Sequence, residues 1–199
     1  MRQAITTFII LAACILGAAA LVGAKAVPTS IDPEKQQRVE RGAYLVTVGG
    51  CNDCHTPLKM GPKGPEPDSS RMLSGHPESF PIESAITPAS DKWMMTADAS
   101  GTAFSGPWGV SFAANLTPDQ NTGLGIWTEE MFMNTLRKGR HMGVSREILP
   151  PMPWFNYGKM TEEDLKSVYA FLRTIQPVHN RVPAPLPPAA PQVARSESK

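Results

Sequence analysis

The chain has 199 residues, and 19 Lys and Arg residues against 18 Asp and Glu residues give a net charge of +1. This near-balance argues against a nucleic-acid-binding protein, which normally carries a basic excess, so no nucleic-acid partner is expected. A hydrophobic fraction of 41% with 19% charged residues is enough to form a core and too apolar for a disordered chain. Three cysteines are too few for a disulfide scaffold, and the length predicts one domain.

The first residues have the pattern of an export signal. Arg2 is followed by an uncharged apolar run over residues 4–24, and Ala24-Lys25-Ala26 resembles a signal-peptidase site. The run is also about 20 residues long, the length that crosses a bilayer core. We therefore predict a signal peptide or an N-terminal membrane anchor over residues 1–26, with the protein exported to the periplasm and either soluble there or anchored to the inner membrane.

The two cysteines outside this segment belong to one motif, Cys51-Asn52-Asp53-Cys54-His55, which has the Cys-x-x-Cys-His pattern of covalent haem attachment. Positions three and four apart on a helix share one face, so both thiols can reach the vinyl groups of one porphyrin while His55 coordinates its iron. A redox dithiol needs no following histidine, and a structural zinc site needs two more ligands at similar spacing. The motif predicts one covalent haem c on Cys51 and Cys54.

The second axial ligand of a haem iron in electron-transfer cytochromes is a methionine or a histidine. Met152 is the preferred candidate, because the prolines on both sides of it restrict the backbone and can hold its flexible side chain in place. Met142 and Met160 are substitutes without this proline frame. His141 is the alternative, although it follows a run of basic residues and is expected to be exposed.

Three helices are predicted around the motif. Asp32 as N-cap and Pro33 in the first turn begin a helix that ends before Gly49-Gly50. Thr128 begins a second helix, which ends near Gly139, and Thr161 begins a third with a capping-box-like start. The first and last helices are expected to cross, with Gly42 allowing the close approach of an aromatic residue such as Tyr169. The fold class predicted is mainly α, a helical haem domain over residues 33–177.

Two segments are rich in proline. Residues 56–107 contain eight prolines with many Ser, Gly and Ala residues, so we predict a long irregular insertion that could cover the haem edge. Residues 178–199 form a proline-rich tail that is predicted to be disordered. His76, inside the insertion, is expected to be an ordinary loop residue.

The motifs together resemble those of class I c-type cytochromes. The similarity is carried by Arg41-Gly-Ala-Tyr-Leu-Val, the Cys51–Thr56 motif, Asn115-Leu-Thr-Pro-Asp119, Thr122-Gly-Leu-Gly-Ile-Trp-Thr128 and Pro151-Met152-Pro153. More narrowly, the chain is similar to the cytochrome c subunits of periplasmic dehydrogenases for alcohol, aldehyde, nicotinate or isoquinoline. The resemblance implies His55 and Met152 as axial ligands and places Asn115 and Trp127 beside the haem, with the Trp127 indole as a donor to a propionate or as an ordinary core residue. Many such subunits carry two or three haem motifs, whereas this chain has one.

The function expected is electron transfer rather than catalysis, from a dehydrogenase to an oxidase or another cytochrome of the respiratory chain. The alternative is a haem protein with an open axial position that acts as a peroxidase or gas sensor, with His76 as a distal group. A third interpretation is a membrane-tethered subunit whose haem bridges other redox centres.

Overall fold

The computed structural model describes residues 32–86 and 92–188. These residues contain five α-helices: α1 (Pro33–Val48), α2 (Cys51–His55), α3 (Glu129–Lys138), α4 (Trp154–Tyr157) and α5 (Glu162–Leu172). They also contain five strands: β1 (Leu58–Gly61), β2 (Gly64–Pro67), β3 (Thr96–Ala97), β4 (Ala103–Gly106) and β5 (Gly109–Phe112). The predicted signal or anchor segment, 1–26, lies outside the described residues. No helix within the described ranges is long and apolar enough to cross a membrane.

The three long helices begin at the residues that the sequence predicts. The Asp32 carboxylate accepts the backbone N–H of Glu34 at the start of α1, and the Thr128 and Thr161 hydroxyls accept backbone N–H groups at the starts of α3 and α5. These bonds satisfy N–H groups that have no partner inside a helix. At its other end, α3 stops at Gly139, whose φ of 64° is the left-handed conformation that glycine adopts without strain.

The first and last long helices cross at Gly42, as predicted, and the aromatic residue that approaches it is Phe171 rather than Tyr169. A Cβ atom at Gly42 would overlap the backbone carbonyl of Ser167 and would lie 2.8 Å from the Cβ of Phe171. Tyr169 instead points toward α3, where its ring packs 5.6 Å from the Phe132 ring. The core lies between these helices and is formed by Val46, Leu73, Leu124, Phe132, Leu136, Leu165, Val168 and Leu172.

The prediction of a mainly α fold is wrong, because two small antiparallel sheets accompany the helices and make the fold mixed α/β. Strands β1 and β2 form a hairpin, and β3, β4 and β5 form a meander in that order. The prolines of the 56–107 segment suggested irregular backbone. In a two-stranded hairpin, however, both strands are edges, where a proline lacks only a donor that would face solvent. Pro65 and Pro67 accordingly lie in β2, opposite Met60 and Leu58.

The proline-rich C-terminal segment also differs from the prediction of disorder, as far as the structure describes it. We call residues 178–188 the C-terminal strap. Leu186 pairs with Val110 of β5 through two backbone hydrogen bonds of 3.0 Å. Asn180 is 1% exposed, and its side-chain amide donates to the carbonyls of Ser74 and His76 at 2.7 and 2.8 Å. The strap is therefore packed onto the domain by specific hydrogen bonds.

Candidate haem site

The Cys-x-x-Cys-His motif forms the short helix α2, directly after α1. Gly50 precedes α2 with a φ of 66°, a left-handed turn that separates the two helices. The motif is held from its C-terminal end, because the His55 carbonyl accepts the N–H of Gly75 at 2.8 Å and the buried Thr56 hydroxyl accepts the N–H of Leu73 at 2.9 Å. The start of α2 is therefore set by a local glycine turn and its end by residues of the insertion.

The His55 imidazole is buried, with 7% of the residue exposed, and one of its nitrogens is used by the protein. Its Nδ1 lies 2.8 Å from the carbonyl oxygen of Ala114, whereas Nε2 has no hydrogen-bond partner among the residues described. Burial lowers the pKa of His55, and the hydrogen bond to Ala114 opposes this only in part. A neutral imidazole with Nδ1–H donated to a carbonyl and Nε2 free is the arrangement of a metal-binding histidine.

Ala114 is placed by backbone pairing between two distant segments. The N–H of His76 donates to the carbonyl of Ala113 at 2.9 Å, and the N–H of Leu116 donates to the carbonyl of Leu73 at 2.9 Å. The segment 73–76 thus connects the haem motif on one side with residues 113–116 on the other. The insertion, which the sequence suggested as a cover, acts here as the scaffold that orients His55.

His55, Cys51 and Cys54 line a cavity of about 420 Å³, which we call the central cavity. Its volume lies within the range of about 300–1,000 Å³ that is usual for cofactor sites. Most of its wall is apolar, with residues from α1, α3, β5, α5, the strap and the loop before α3, including Leu45, Phe112, Leu124, Phe132, Leu136 and Val168. A large apolar cavity with two thiols and a free imidazole nitrogen in its wall fits a covalently bound haem.

The two thiols are not activated nucleophiles. Burial raises the pKa of Cys51 to about 11, and the neighbouring Asp53 carboxylate also contributes to the rise. Burial likewise raises the pKa of Cys54. A redox-active dithiol depends on a thiolate with a lowered pKa, so this environment does not match a thioredoxin-type site.

Met152 lies in the wall of the central cavity and packs against the core. Its loop is fixed by two contacts: the Ser111 hydroxyl donates to the carbonyl of Pro150 at 2.5 Å, and the N–H of Trp154 donates to the carbonyl of Met152 at 2.9 Å. Met160 also lines the cavity, so proximity to it does not single out one methionine. The role of Met152 as axial ligand therefore stays a prediction.

His141 also lines the central cavity, which differs from the exposed position expected from the basic residues before it. It is half-buried, and its ring packs edge-on against Trp127 with 5.1 Å between the ring centroids. Its Nδ1 lies 3.3 Å from the Ser145 hydroxyl. His141 is thus the histidine that could compete with Met152 for an iron in this cavity.

His76 does not line the central cavity. Both ring nitrogens have partners, because Nδ1 lies 2.9 Å from the Thr102 hydroxyl and Nε2 lies 2.8 Å from the Phe80 carbonyl. The residue is fully buried, and burial lowers its pKa. His76 therefore links two parts of the insertion, at Phe80 and at Thr102 before β4, and has no nitrogen free to act as a distal group.

Asn115 and Trp127, the two residues expected beside the haem, both line the cavity but differ in their bonding. The Asn115 amide donates to the carbonyl of Val178 at 2.8 Å, and its oxygen accepts from Thr117 at 2.7 and 3.0 Å. Its polar atoms are thus used to hold the strap. The Trp127 indole N–H has no partner within the described part of the chain, so it is available to a ligand.

Two cavity residues, Arg146 and Arg181, are absent from the sequence prediction. Arg146 lies in the turn after Gly143, and Arg181 lies in the strap. No local motif distinguishes either arginine from the others in the chain. They are recognised only through the long-range contacts that place their segments at the cavity.

A helix that carries a Cys-x-x-Cys-His motif, a buried imidazole and an apolar cavity are features that c-type cytochromes share. Comparison with known proteins agrees, because the chain is similar to cytochrome c subunits of dehydrogenases, which confirms the resemblance drawn from the motifs. It is 29% identical over 157 residues to the fructose dehydrogenase cytochrome subunit of Gluconobacter japonicus, covering 77% of this chain and 25% of the relative. It is 26% identical over 157 residues to the alcohol dehydrogenase (quinone) cytochrome c subunit of Gluconobacter oxydans, covering 78% and 24%.

A further relative is one of the subunits of the nicotinate dehydrogenase of Pseudomonas putida, which is 25% identical over 161 residues, covering 81% of this chain and 10% of the relative. The chain thus spans a quarter or less of the length of these three relatives. No family model matches it.

Proposed function

We propose that this protein transfers electrons through one covalently bound haem c, as an electron-accepting partner of a dehydrogenase. The observation that carries the proposal is the His55 imidazole, which is buried in the wall of an apolar cavity with Nδ1 donated to Ala114 and Nε2 free, one residue from Cys54. The names of the relatives support the assignment to a dehydrogenase system.

Four residues of the central cavity would each hold a different part of the haem. Cys51 and Cys54 would form the two thioether bonds, and His55 would supply the proximal imidazole, whose orientation is fixed by Ala114. Met152 would supply the distal thioether, which raises the reduction potential of a haem. When bound, the haem supplies a one-electron couple between ferric and ferrous iron.

The protein would surround a bound haem largely with apolar side chains. Such side chains from three long helices line the central cavity, and the low dielectric of this wall strengthens the electrostatic effect of a charge that faces it. If His55 and Met152 both bound the iron, the chain would leave no open position for a substrate. The expected activity is therefore outer-sphere electron exchange with protein partners through a small transient contact.

The predicted export signal and the names of the relatives support a proposal for where this step takes place. We propose that the protein works in the periplasm, receives electrons from a dehydrogenase, and delivers them to an oxidase or another cytochrome of the respiratory chain. Residues 4–24 would serve either as a cleaved signal or as a membrane attachment.

The experiment that tests the proposal is a set of visible spectra of the protein matured with haem, oxidised and reduced. Wild type is compared with Met152→Ala, Met160→Ala and His141→Ala, which remove in turn each candidate ligand in the cavity wall. We expect the weak far-red ferric band of methionine–iron ligation in wild type, in Met160→Ala and in His141→Ala. It should be absent only from Met152→Ala.

Covalent attachment is tested separately. Under denaturing acid extraction, the haem should remain on wild type and be released from the Cys51→Ser, Cys54→Ser double variant. A wild-type spectrum without the far-red band, together with rapid carbon monoxide binding to the reduced protein, would contradict His/Met ligation and favour the open-site alternative of a peroxidase or gas sensor.

A further inference from the structure

The C-terminal strap contributes directly to the central cavity. Four of its residues, Arg181, Val182, Pro183 and Pro185, form part of the cavity wall. The strap is anchored on both sides of this stretch, by Asn180 before it and by the pairing of Leu186 with β5 after it. The backbone between the two anchors is therefore held beside the cavity.

The charged residues around the cavity are of one sign. Arg146 and Arg181 line it, together with the neutral histidines, whereas no Asp or Glu among the described residues does so. Both arginines are exposed residues, so their guanidinium groups stay hydrated at the edge of the cavity, where they can meet the acidic group of a ligand whose apolar part lies inside. The composition of the wall thus fits a ligand that is largely apolar and carries acidic groups.

Arg181 has no anionic partner of its own within the described ranges. Its backbone N–H donates to the Glu78 carboxylate at 3.0 Å, but its guanidinium forms neither an ion pair nor a hydrogen bond there. By comparison, Arg41 pairs with Asp164 at 3.0 Å and Arg140 pairs with Glu147 at 3.2 Å. Arg146 donates only a long hydrogen bond, of 3.4 Å, to a backbone carbonyl.

We propose that Arg181 is a cofactor-binding residue that pairs with a propionate carboxylate of the haem and thereby fixes the strap over the cavity. This inference rests on the proposed function, because it requires the haem to occupy the central cavity. A guanidinium suits the role because it is always charged and can donate two parallel hydrogen bonds to a carboxylate. The strap would then be held by its own hydrogen bonds and by the cofactor.

The test uses the haem-loaded protein and two readouts. The first is the reduction potential, measured by spectroelectrochemical titration. The second is amide hydrogen exchange of residues 178–188, measured by mass spectrometry. The variants are Arg181→Gln and Arg181→Lys, with two matched controls. Arg146→Gln removes the same charge from another segment of the cavity wall. Arg38→Gln removes it from the surface of α1, where Arg38 pairs with Glu34 and with no other acid of the described residues.

We expect Arg181→Gln to lower the potential, since loss of a cation near the haem favours the ferric form, and to increase exchange in the strap by about two- to fivefold, the effect of losing one ion pair. Arg181→Lys should retain most of the wild-type behaviour in both readouts. Arg146→Gln should lower the potential without changing exchange in the strap, and Arg38→Gln should change neither.

Three outcomes would overturn the inference. Arg181→Gln could match Arg38→Gln in both readouts, or it could lower the potential without loosening the strap, as a charge acting at a distance would do. It could also loosen the strap without changing the potential, which would make its role purely structural. Failure of the proposed function is distinguishable, because it would be seen in the wild-type spectrum and haem-extraction result before any arginine variant is compared.

Discussion

Removal of the Asn180 side chain should release the strap and destabilise the whole domain. Its oxygen accepts the backbone N–H of Glu78 at 3.0 Å and the Arg71 guanidinium at 3.2 Å, and its amide donates to the Ser74 and His76 carbonyls. In Asn180→Ala, the two carbonyls and the Glu78 N–H lose a partner in a buried site. Each lost hydrogen bond costs about 1 kcal/mol, and more where the partner stays unsatisfied, so a loss of about 2–4 kcal/mol is expected.

The assay is thermal unfolding of the haem-loaded protein followed by circular dichroism. For a protein of this size, 1 kcal/mol corresponds to about 2–4 °C in Tm, so Tm should fall by roughly 5–15 °C. Asn156→Ala is the matched control, because Asn156 is exposed and its side chain has no hydrogen bond to any of the described residues. That control should stay within about 0.5 kcal/mol of wild type.

A second variant separates hydrogen bonding from packing. Asn180→Asp keeps the size and one acceptor oxygen but replaces the donating amide with an oxygen that faces the carbonyls of Ser74 and His76. It should therefore be at least as destabilising as Asn180→Ala. If Asn180→Asp melts within about 2 °C of wild type, the hydrogen-bond argument is refuted, whatever the result for alanine.

Three further changes test other parts of the structure. Gly42→Ala should destabilise the fold by about 1–3 kcal/mol in thermal melts, because its Cβ would overlap the Ser167 carbonyl. A gain in stability, which helix propensity alone would give, would contradict the close crossing of α1 and α5. Burial lowers the pKa of His76, so the unfolded state binds its proton more readily than the folded state. The stabilisation present above about pH 6.5 should therefore be lost as the pH falls. The refuting result is a His76→Gln variant whose unfolding free energy falls between neutral and acid pH as steeply as that of wild type. Ser111→Ala removes the hydroxyl that fixes the Met152 loop, so the far-red methionine–iron band should weaken while the haem stays attached; an undiminished band would show that the loop holds without this bond.

The helices could be predicted because their signals are local. The caps at Asp32, Thr128 and Thr161 and the stop at Gly139 each depend on a few neighbouring residues, and the structure has all four. The crossing at Gly42 was also predicted. Its partner was not, since a stripe of apolar residues defines the buried face of a helix but not how far the facing helix is rotated.

The sheets and the strap could not be predicted, because each depends on pairing with another segment and not on its own composition. Closely spaced prolines are incompatible with a long helix. From composition alone, however, they fit an irregular loop, an edge strand or a disordered tail equally well. The choice depends on which segment lies alongside. For the strap that segment is β5, through Val110, and for β2 it is a hairpin partner three to nine residues before it along the chain.

The candidate site likewise combines residues that a local motif identifies with contacts that only the folded chain provides. The residues Cys51, Cys54 and His55 are identified by one short motif, and the proline frame distinguishes Met152 from the other methionines. The hydrogen bond that fixes the His55 ring joins residues 59 positions apart, and Arg181 lies in a segment that composition alone would leave unfolded. Local sequence therefore predicts which groups could hold a haem, and long-range pairing decides how they are oriented and what charge surrounds them.

These long-range pairings form one connected path from the haem motif to the C-terminal strap. His55 bonds to Ala114 and to the 73–76 segment, and that segment accepts both amide hydrogen bonds of Asn180. A disturbance of Asn180 therefore reaches the carbonyls next to the residues that hold His55, as well as freeing Arg181. The insertion and the strap should consequently behave as one unit, so that loosening either one alters both the orientation of the His55 imidazole and the charge at the cavity. Hydrogen exchange in the 73–76 segment should rise together with exchange in the strap when Asn180 is replaced.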